Sequence, residues 1–190
     1  VLVDQFVDRT HGRESSFFGN GCVAHVPFAH PVGPALQARI AAAAAAEELP
    51  VHRGGTYVCM EGPQFSSFAE SRTYKGLGYD VIGMTNMPEA KLAREAEITF
   101  ATIAMVTDFD CWHPGHADVD VASVVAVARA NADKAARLIS RIARDFPAER
   151  EECPAGSHRA LDGAIMTAPS HRDPELLAKL DAVAGRVLDA

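Results

Sequence analysis

The sequence contains no apolar run long enough to cross a bilayer, so a membrane-spanning helix is excluded. Cysteine is scarce: Cys22, Cys59, Cys111 and Cys153 lie far apart, with no CxxC pair among them. That spacing signals neither a zinc knuckle nor a disulfide framework, and reduced thiols in a cytoplasmic protein are the expectation. Basic residues are in deficit, 18 against 25 acidic, for a formal net charge of -7. A sequence-independent grip on nucleic acid rests on Lys and Arg neutralising phosphates, so that class is set aside as well. What remains is the balance of a globular chain, 48% apolar and 23% charged, in 190 residues that suit one domain with one sizeable core.

The opening also lacks an initiator methionine, a signal-peptide n-region and a capping turn. Residues 1–7 (VLVDQFV) read as a strand. A core strand rarely begins at a first residue, so further residues upstream are expected. Residues 8–34 form a long polar stretch rich in Gly, Pro, His and Ser. Loops beyond about 15 residues are uncommon unless functional or disordered. Phe17, Phe18 and His25-Val26-Pro27-Phe28 inside this one predict that it docks on a surface, an adjoining subunit being the expected one.

Pro34-Ala35 opens a helix to about Leu49; its alanines at 41–46 favour helix and offer little volume, so it packs closely or stays partly exposed. Residues 56–60 (TYVCM) and 80–84 (DVIGM) read as strands, and 98–107 (ITFATIAMVT) as the strongest, apolar throughout like a central parallel strand. Ser67-Phe68-Ala69-Glu70 fits a capping box and starts a helix that stops near Gly76–Gly78. A short helix covers 88–95, and 121–146 carries apolar residues at helical spacing with Arg and Lys toward its end. A polar segment, 147–170, precedes a last amphipathic helix capped by Asp173-Pro174. Strands alternating with helices predict an α/β protein with a largely parallel or mixed sheet. Residues 1–146 form the body of one domain, and 147–190 a tail of the same domain.

In open α/β sheets, ligands sit at the carboxyl ends of strands. Three such ends carry chemistry: 61–67 (EGPQFSS), 83–89 (GMTNMPE) and 107–112 (TDFDCW). The last places Asp108 and Asp110 at alternate positions after an apolar run, as partly desolvated, mutually repelling carboxylates suited to proton donation. A helix cap or surface turn uses the same pattern, and a DxD after a strand also holds a divalent metal in nucleotide-sugar glycosyltransferases. The glycine-rich or basic diphosphate contacts of that class are not visible. Cys111, His113, His116, Asp118 and Asp120 can be drawn as a metal site, but their spacing matches no regular ligand pattern. His11, His30, His52, His158 and His171 read as surface or loop residues.

Taken together, EGPQFSS, GMTNMPE and TDFDCW closely resemble, in order and spacing, the 5'-methylthioadenosine phosphorylase branch of the trimeric purine nucleoside phosphorylases. DQFVDR (4–9) and CVAHVPF (22–28) match the same family, and the resemblance covers roughly residues 1–146. It implies an α/β fold with a central mixed, largely parallel sheet flanked by helices, and a homotrimer with a shared active site. It implies phosphorolysis of methylthioadenosine to adenine and 5-methylthioribose 1-phosphate, a pentosyltransferase reaction of methionine and purine salvage. Inorganic phosphate is the implied co-substrate, with no cofactor, metal, nucleic acid or membrane partner.

The residue roles follow by the same match. Asp108 addresses N7 of the purine, and Asp110 helps read the exocyclic amino group. The chemistry agrees, because the leaving purine must accept a proton or strong hydrogen bonds as the N-glycosidic bond lengthens. A carboxylate accepting from that amine selects adenine over a 6-oxo purine. Met84 matches the methionine under the ribose, Phe65 the aromatic against the base, and Thr85 the residue whose hydroxyl and N–H meet phosphate; Phe109 is placed with the substrate contacts. Ser66 and Val121 match positions that set purine and 5'-group preference, and Val121, Val124 and Val125 an apolar wall for the methylthio group. His25 matches a histidine given to the neighbouring subunit's site. Gly83 departs from the pattern, since some relatives carry Asn there. The family's first third, with a glycine-rich phosphate turn and an Arg-His pair, has no counterpart in the chain. The chain is therefore expected to be a fragment of the full domain, inactive alone. The alternatives are a methylthioinosine or general purine nucleoside phosphorylase and, in another class, a non-catalytic purine-binding or assembly domain.

Overall fold

A computed structural model of the chain describes residues 1–113, 121–149 and 151–188. Three parallel strands form the sheet in the order β1 (Gln5–Arg9), β2 (Thr56–Met60) and β3 (Val81–Gly83). Helix α1 (Pro34–Ala46) connects the first two strands, and α2 (Phe68–Gly76) connects the second pair. The chain continues through α3 (Glu89–Glu95), α4 (Val121–Arg144) and α5 (Pro174–Leu188). The named strands are all parallel; among the described residues, antiparallel pairing is confined to the isolated bridges Gly19–Cys22 and Ala24–Ile165.

Register decides where the chemistry falls. Asp8 pairs with Cys59, and Cys59 with Gly83, so the three strands end level with one another. The segments that follow them therefore emerge side by side at one carboxyl edge. Tyr57, Val58 and Cys59 on central β2 are all buried, as a strand covered on both faces should be.

The opening strand starts later than its apolar run suggests. Leu2 forms a lone parallel bridge with Arg53, and the ladder resumes only at Gln5–Thr56 in the same register. Gly54 and Gly55, at φ +84° and +119°, turn the partner backbone out of extended geometry between the two points.

Residues 98–107, the strongest strand by sequence, are not in a strand. Their backbone is held at Phe100, whose carbonyl accepts from Gly33 at 2.9 Å, and at Ala104, which exchanges both hydrogen bonds with Val1 at 2.8 Å. Apolar character calls for burial, but a ladder needs a partner at every second residue, and two points of attachment do not make one. Ile98, Met105 and Val106 remain exposed.

The helices follow their local signals. Pro34 sits at the first turn of α1. Ser67 and Glu70 close the expected capping box of α2, with Ser67 Oγ accepting from the Glu70 N–H and the Glu70 carboxylate accepting from the Ser67 N–H. Asp173 Oδ1 accepts from Leu176 N–H at the start of α5. The alanine-rich α1 packs closely: Ala43 and Ala44 meet Leu138 of α4, and Arg141 donates to Glu47 across the same seam at 2.7 Å. The first half of α4 stays largely exposed.

The loop 10–33 does dock, and within the chain its surface is the C-terminal segment, while Phe17 stays exposed. Phe18 and Cys22 are buried against Leu161, Ala164, Leu180 and Ala184 of the C-terminal segment. That segment, polar by composition, thus supplies the apolar surface the loop needs. Arg186 of α5 ties it down by donating to Glu97 and Asp162.

Candidate active site

At the carboxyl edge a cavity of about 720 Å³ opens between the sheet and residues 100–110. Four predicted site residues line it: Thr85, Asp108, Phe109 and Asp110. Tyr57, Ser71, Tyr74, Lys75, Asn86 and Trp112 are among the other polar and aromatic residues of its walls.

The acidic turn is built by its own hydrogen bonds. Asp108 Oδ1 accepts from the Asp110 N–H at 2.9 Å, and its Oδ2 accepts from the Thr107 hydroxyl at 2.6 Å. Asp110 holds a left-handed backbone, φ 60°, a conformation that Asp tolerates better than most residues. Its Oδ1 accepts from Cys111 N–H at 2.8 Å and its Oδ2 from the Ser71 hydroxyl at 2.6 Å. The two carboxylates therefore face different surroundings. Asp110 is fixed against α2 and half-buried, whereas Asp108 is exposed at the mouth of the cavity. The expectation of two partly desolvated groups is corrected for Asp108: Ser71 of α2 covers the carboxylate of Asp110, while Asp108 stands exposed. Beside them the Lys75 ammonium lies 3.2 Å from the centre of the Trp112 ring, a cation–π contact that closes one wall.

Thr85 is placed by β3. Its carbonyl accepts from the Cys59 thiol at 3.0 Å, and its hydroxyl stands 3.4 Å from that of Tyr57. Burial pushes the Cys59 thiol up, keeping it a neutral donor to that carbonyl. Asn86 follows at φ 75°, its side-chain oxygen accepting from Thr102 at 2.8 Å. Gly83 is explained by Tyr57: a Cβ at position 83 would fall 1.8 Å from the tyrosine oxygen. The ring thus fills the space that a side chain at 83 would take.

Phe65, Ser66 and Met84 do not line the cavity but flank it. Met84 Sδ lies against the 61–67 turn, where a Cβ on Gly62 would fall 2.6 Å away, so glycine is required for the approach. The carbonyl of Ser66 meets the Cys111 thiol at 3.9 Å, and Phe65 is exposed. Val121, Val124, Val125 and His25 are not among the lining residues. Val121 and Val125 are exposed near the start of α4, and His25 is exposed with its N–H bonded to the Ala164 carbonyl. Of the candidate metal set, His116, Asp118 and Asp120 lie outside the described residues. Among the described residues no group of three or more His, Cys, Asp or Glu side chains is gathered to hold an ion.

Sequence reasoning missed Ser71, Tyr57 and Arg13. Ser71 offered one weak signal, its position one turn beyond the capping serine. Arg13 offered none, since it lies in an aperiodic polar loop. Its guanidinium, held beside Glu61, nonetheless spans two strand ends. The His11 N–H and the Arg13 guanidinium keep the Glu61 carboxyl below the usual carboxylate range.

The chain is similar to known proteins over nearly its whole length. The profile of the phosphorylase superfamily matches residues 1–144. The S-methyl-5'-thioadenosine phosphorylase of Bradyrhizobium diazoefficiens is 71% identical over 188 residues, covering 99% of this chain and 65% of that protein. That of Cereibacter sphaeroides is 61% identical over the same length and coverage. Among solved structures, a methylthioadenosine phosphorylase from an Antarctic soil metagenomic library superposes with a TM-score of 0.84 at 42% identity, covering 96% of this chain and 64% of that one. The Schistosoma mansoni methylthioadenosine phosphorylase in complex with adenine superposes with a TM-score of 0.79 at 29% identity, over 87% of this chain and 65% of that one. The chain thus spans about two-thirds of the length of the relatives it matches.

Proposed function

The chain belongs to the phosphorylase superfamily, and from that premise we propose that the whole protein phosphorolyses 5'-methylthioadenosine to adenine and 5-methylthioribose 1-phosphate. Inorganic phosphate is the co-substrate, and no cofactor takes part. The observation that carries this reading is the convergence of Asp108, Asp110 and Thr85 on one cavity.

The chemistry divides among them. A phosphate oxygen attacks the anomeric carbon as the bond to the purine nitrogen breaks, and the departing adenine takes up a proton. Thr85 presents its hydroxyl and N–H to the anion. Asp108, exposed beside the cavity, carries to N7 the proton that hydrogen phosphate gives up on forming the sugar ester, and so ends the turnover as it began. The Thr107 hydroxyl donates to Asp108 Oδ2 and can turn to accept when that carboxyl carries the proton. Asp110 is locked by Ser71 and Cys111, with acceptor sites left over for the exocyclic amine of adenine. Met84 and Phe65 approach the ribose and base, Ser66 and Phe109 border the purine, and Val121, Val124 and Val125 contact the 5'-methylthio group.

The assembly we propose is a homotrimer in the cytoplasm, with His25 lent to a neighbouring site. The exposed His25, the exposed Val121 and the four free thiols support that arrangement. Among the described residues no helix is long and apolar enough to cross a membrane.

The test is to assay the full-length protein for adenine release from methylthioadenosine with and without phosphate, and for hypoxanthine release from inosine. Phosphate-dependent release of adenine is expected, with inosine slower by at least about 100-fold. Preference for inosine would substitute a general purine nucleoside phosphorylase. Binding of adenine without turnover would substitute a non-catalytic purine-binding domain.

A further inference from the structure

Arg13 spends its whole guanidinium on the carboxyl edge of the sheet. Nε donates to the Glu61 carboxylate at 3.1 and 3.2 Å, Nη2 to the Glu61 carbonyl at 2.9 Å, and Nη1 to the carbonyls of Met84 at 3.0 Å and Met87. The last two acceptors bracket Thr85 and Asn86. Glu61 is itself anchored from the loop, accepting from His11 N–H at 2.8 Å. A planar fork fixed at one end on β2 therefore sets the spacing of two carbonyls on either side of Thr85.

We propose that Arg13 is a positioning residue for the anion site: it holds the turn 84–87 so that the Thr85 hydroxyl and N–H converge on phosphate. The inference rests on the phosphorolytic reading above and adds to it a residue outside the cavity, for Arg13 does not line the cavity itself. Lysine cannot replace it, because one ammonium presents three donors from a point and cannot reach four acceptors spread over two strand ends.

The experiment compares the full-length enzyme with its Arg13→Lys and Arg13→Gln variants, alone and with Thr85→Ala. Arg13→Lys should raise the KM for phosphate about tenfold or more, with the KM for methylthioadenosine changed by less than about twofold. A purely structural role would move both constants or the melting temperature alone. In the Thr85→Ala background, Arg13→Lys should add less than about twofold, because the two residues act as one unit. Equal effects on both substrates, or full multiplicativity with Thr85→Ala, would overturn the proposal. Hydrogen exchange of residues 84–88 is a second reading that needs no catalysis. Faster exchange there in Arg13→Lys supports the clamp, and unchanged exchange overturns it. A wild-type protein lacking phosphate-dependent turnover sinks the functional reading instead, and exchange alone then judges the clamp.

Discussion

The Ser71 hydroxyl donates to Oδ2 of Asp110 at 2.6 Å, joining the first turns of α2 to an acidic turn 39 residues further along the chain. Ser71 is almost fully buried, at 1% exposure, so solvent offers its hydroxyl no substitute partner. The capping box at Ser67 fixes the start of α2, and with it the height at which Ser71 meets the carboxylate.

Ser71→Ala should therefore cost about 1.5–3 kcal/mol of stability, the range for a hydrogen bond to a charged group. In the full-length enzyme it should also loosen Asp110 and lower kcat/KM for methylthioadenosine by roughly tenfold. Denaturant unfolding and steady-state kinetics check the two effects separately. Unchanged kinetics with reduced stability would confine Ser71 to the fold.

The two aspartates should separate by role. Asp108→Asn should lower turnover by roughly 100- to 10,000-fold, the span associated with loss of a positioned general acid. Asp110→Asn should reduce turnover less and shift the preference between methylthioadenosine and its 6-oxo counterpart more. Measuring kcat and kcat/KM on both nucleosides decides it. Near-full activity in Asp108→Asn would remove that residue from the chemistry.

Gly83→Ala should destabilise by about 1–3 kcal/mol, because the new methyl overpacks against the Tyr57 ring. The clash is with the hydroxyl oxygen first, at 1.8 Å, and then with its ring carbon at 2.7 Å. Adding Tyr57→Phe removes the nearer atom and should recover part of the loss. Melting temperatures of the two single variants and the double variant test the coupling.

Acid should loosen the attachment of the C-terminal helix. Burial works against ionisation of Glu97, but donation from Arg186 and Leu161 N–H outweighs it and holds the carboxyl below its usual range. In the folded chain Glu97 thus stays ionised at a pH where the unfolded chain has begun to take up a proton. Its contribution is complete at neutral pH and fades as the pH falls below about 4.3, the ordinary glutamate value, and on through the lower folded one. Glu97→Gln should flatten that acid limb. Unfolding free energies measured across the range, with hydrogen exchange on α5, would expose any disagreement.

Much of the local architecture was legible because it depends on residues one turn apart. The Ser67–Glu70 box, Pro34 at the first turn of α1 and Asp173 before α5 each involve a side chain and a backbone group three or four positions away. The β2 run TYVCM was readable for a similar reason, being short, β-branched or aromatic, and stopped by Gly62-Pro63. The acidic pair, too, announced itself by spacing alone.

The fold decided whatever depends on a distant partner. Residues 98–107 are apolar by sequence, but whether they enter a ladder depends on neighbours, and Val1 and Gly33 bond their backbone only at single points, Ala104 and Phe100. The loop 10–33 carried one anchor openly in Phe18, whereas Cys22 was not legible as one, and the surface they share within the chain is a C-terminal segment whose apolar residues are scattered among polar ones. Arg13 acquires its part only because three parallel strands end level, bringing Glu61, Met84 and Met87 within reach of one guanidinium. The sequence by itself determined the helices, their caps and the close spacing of Asp108 and Asp110, since those rest on contacts within a turn of chain. Which carboxylate is held fast and which stands open to solvent was decided by tertiary structure, through a serine hydroxyl brought from α2 that no local pattern could have supplied.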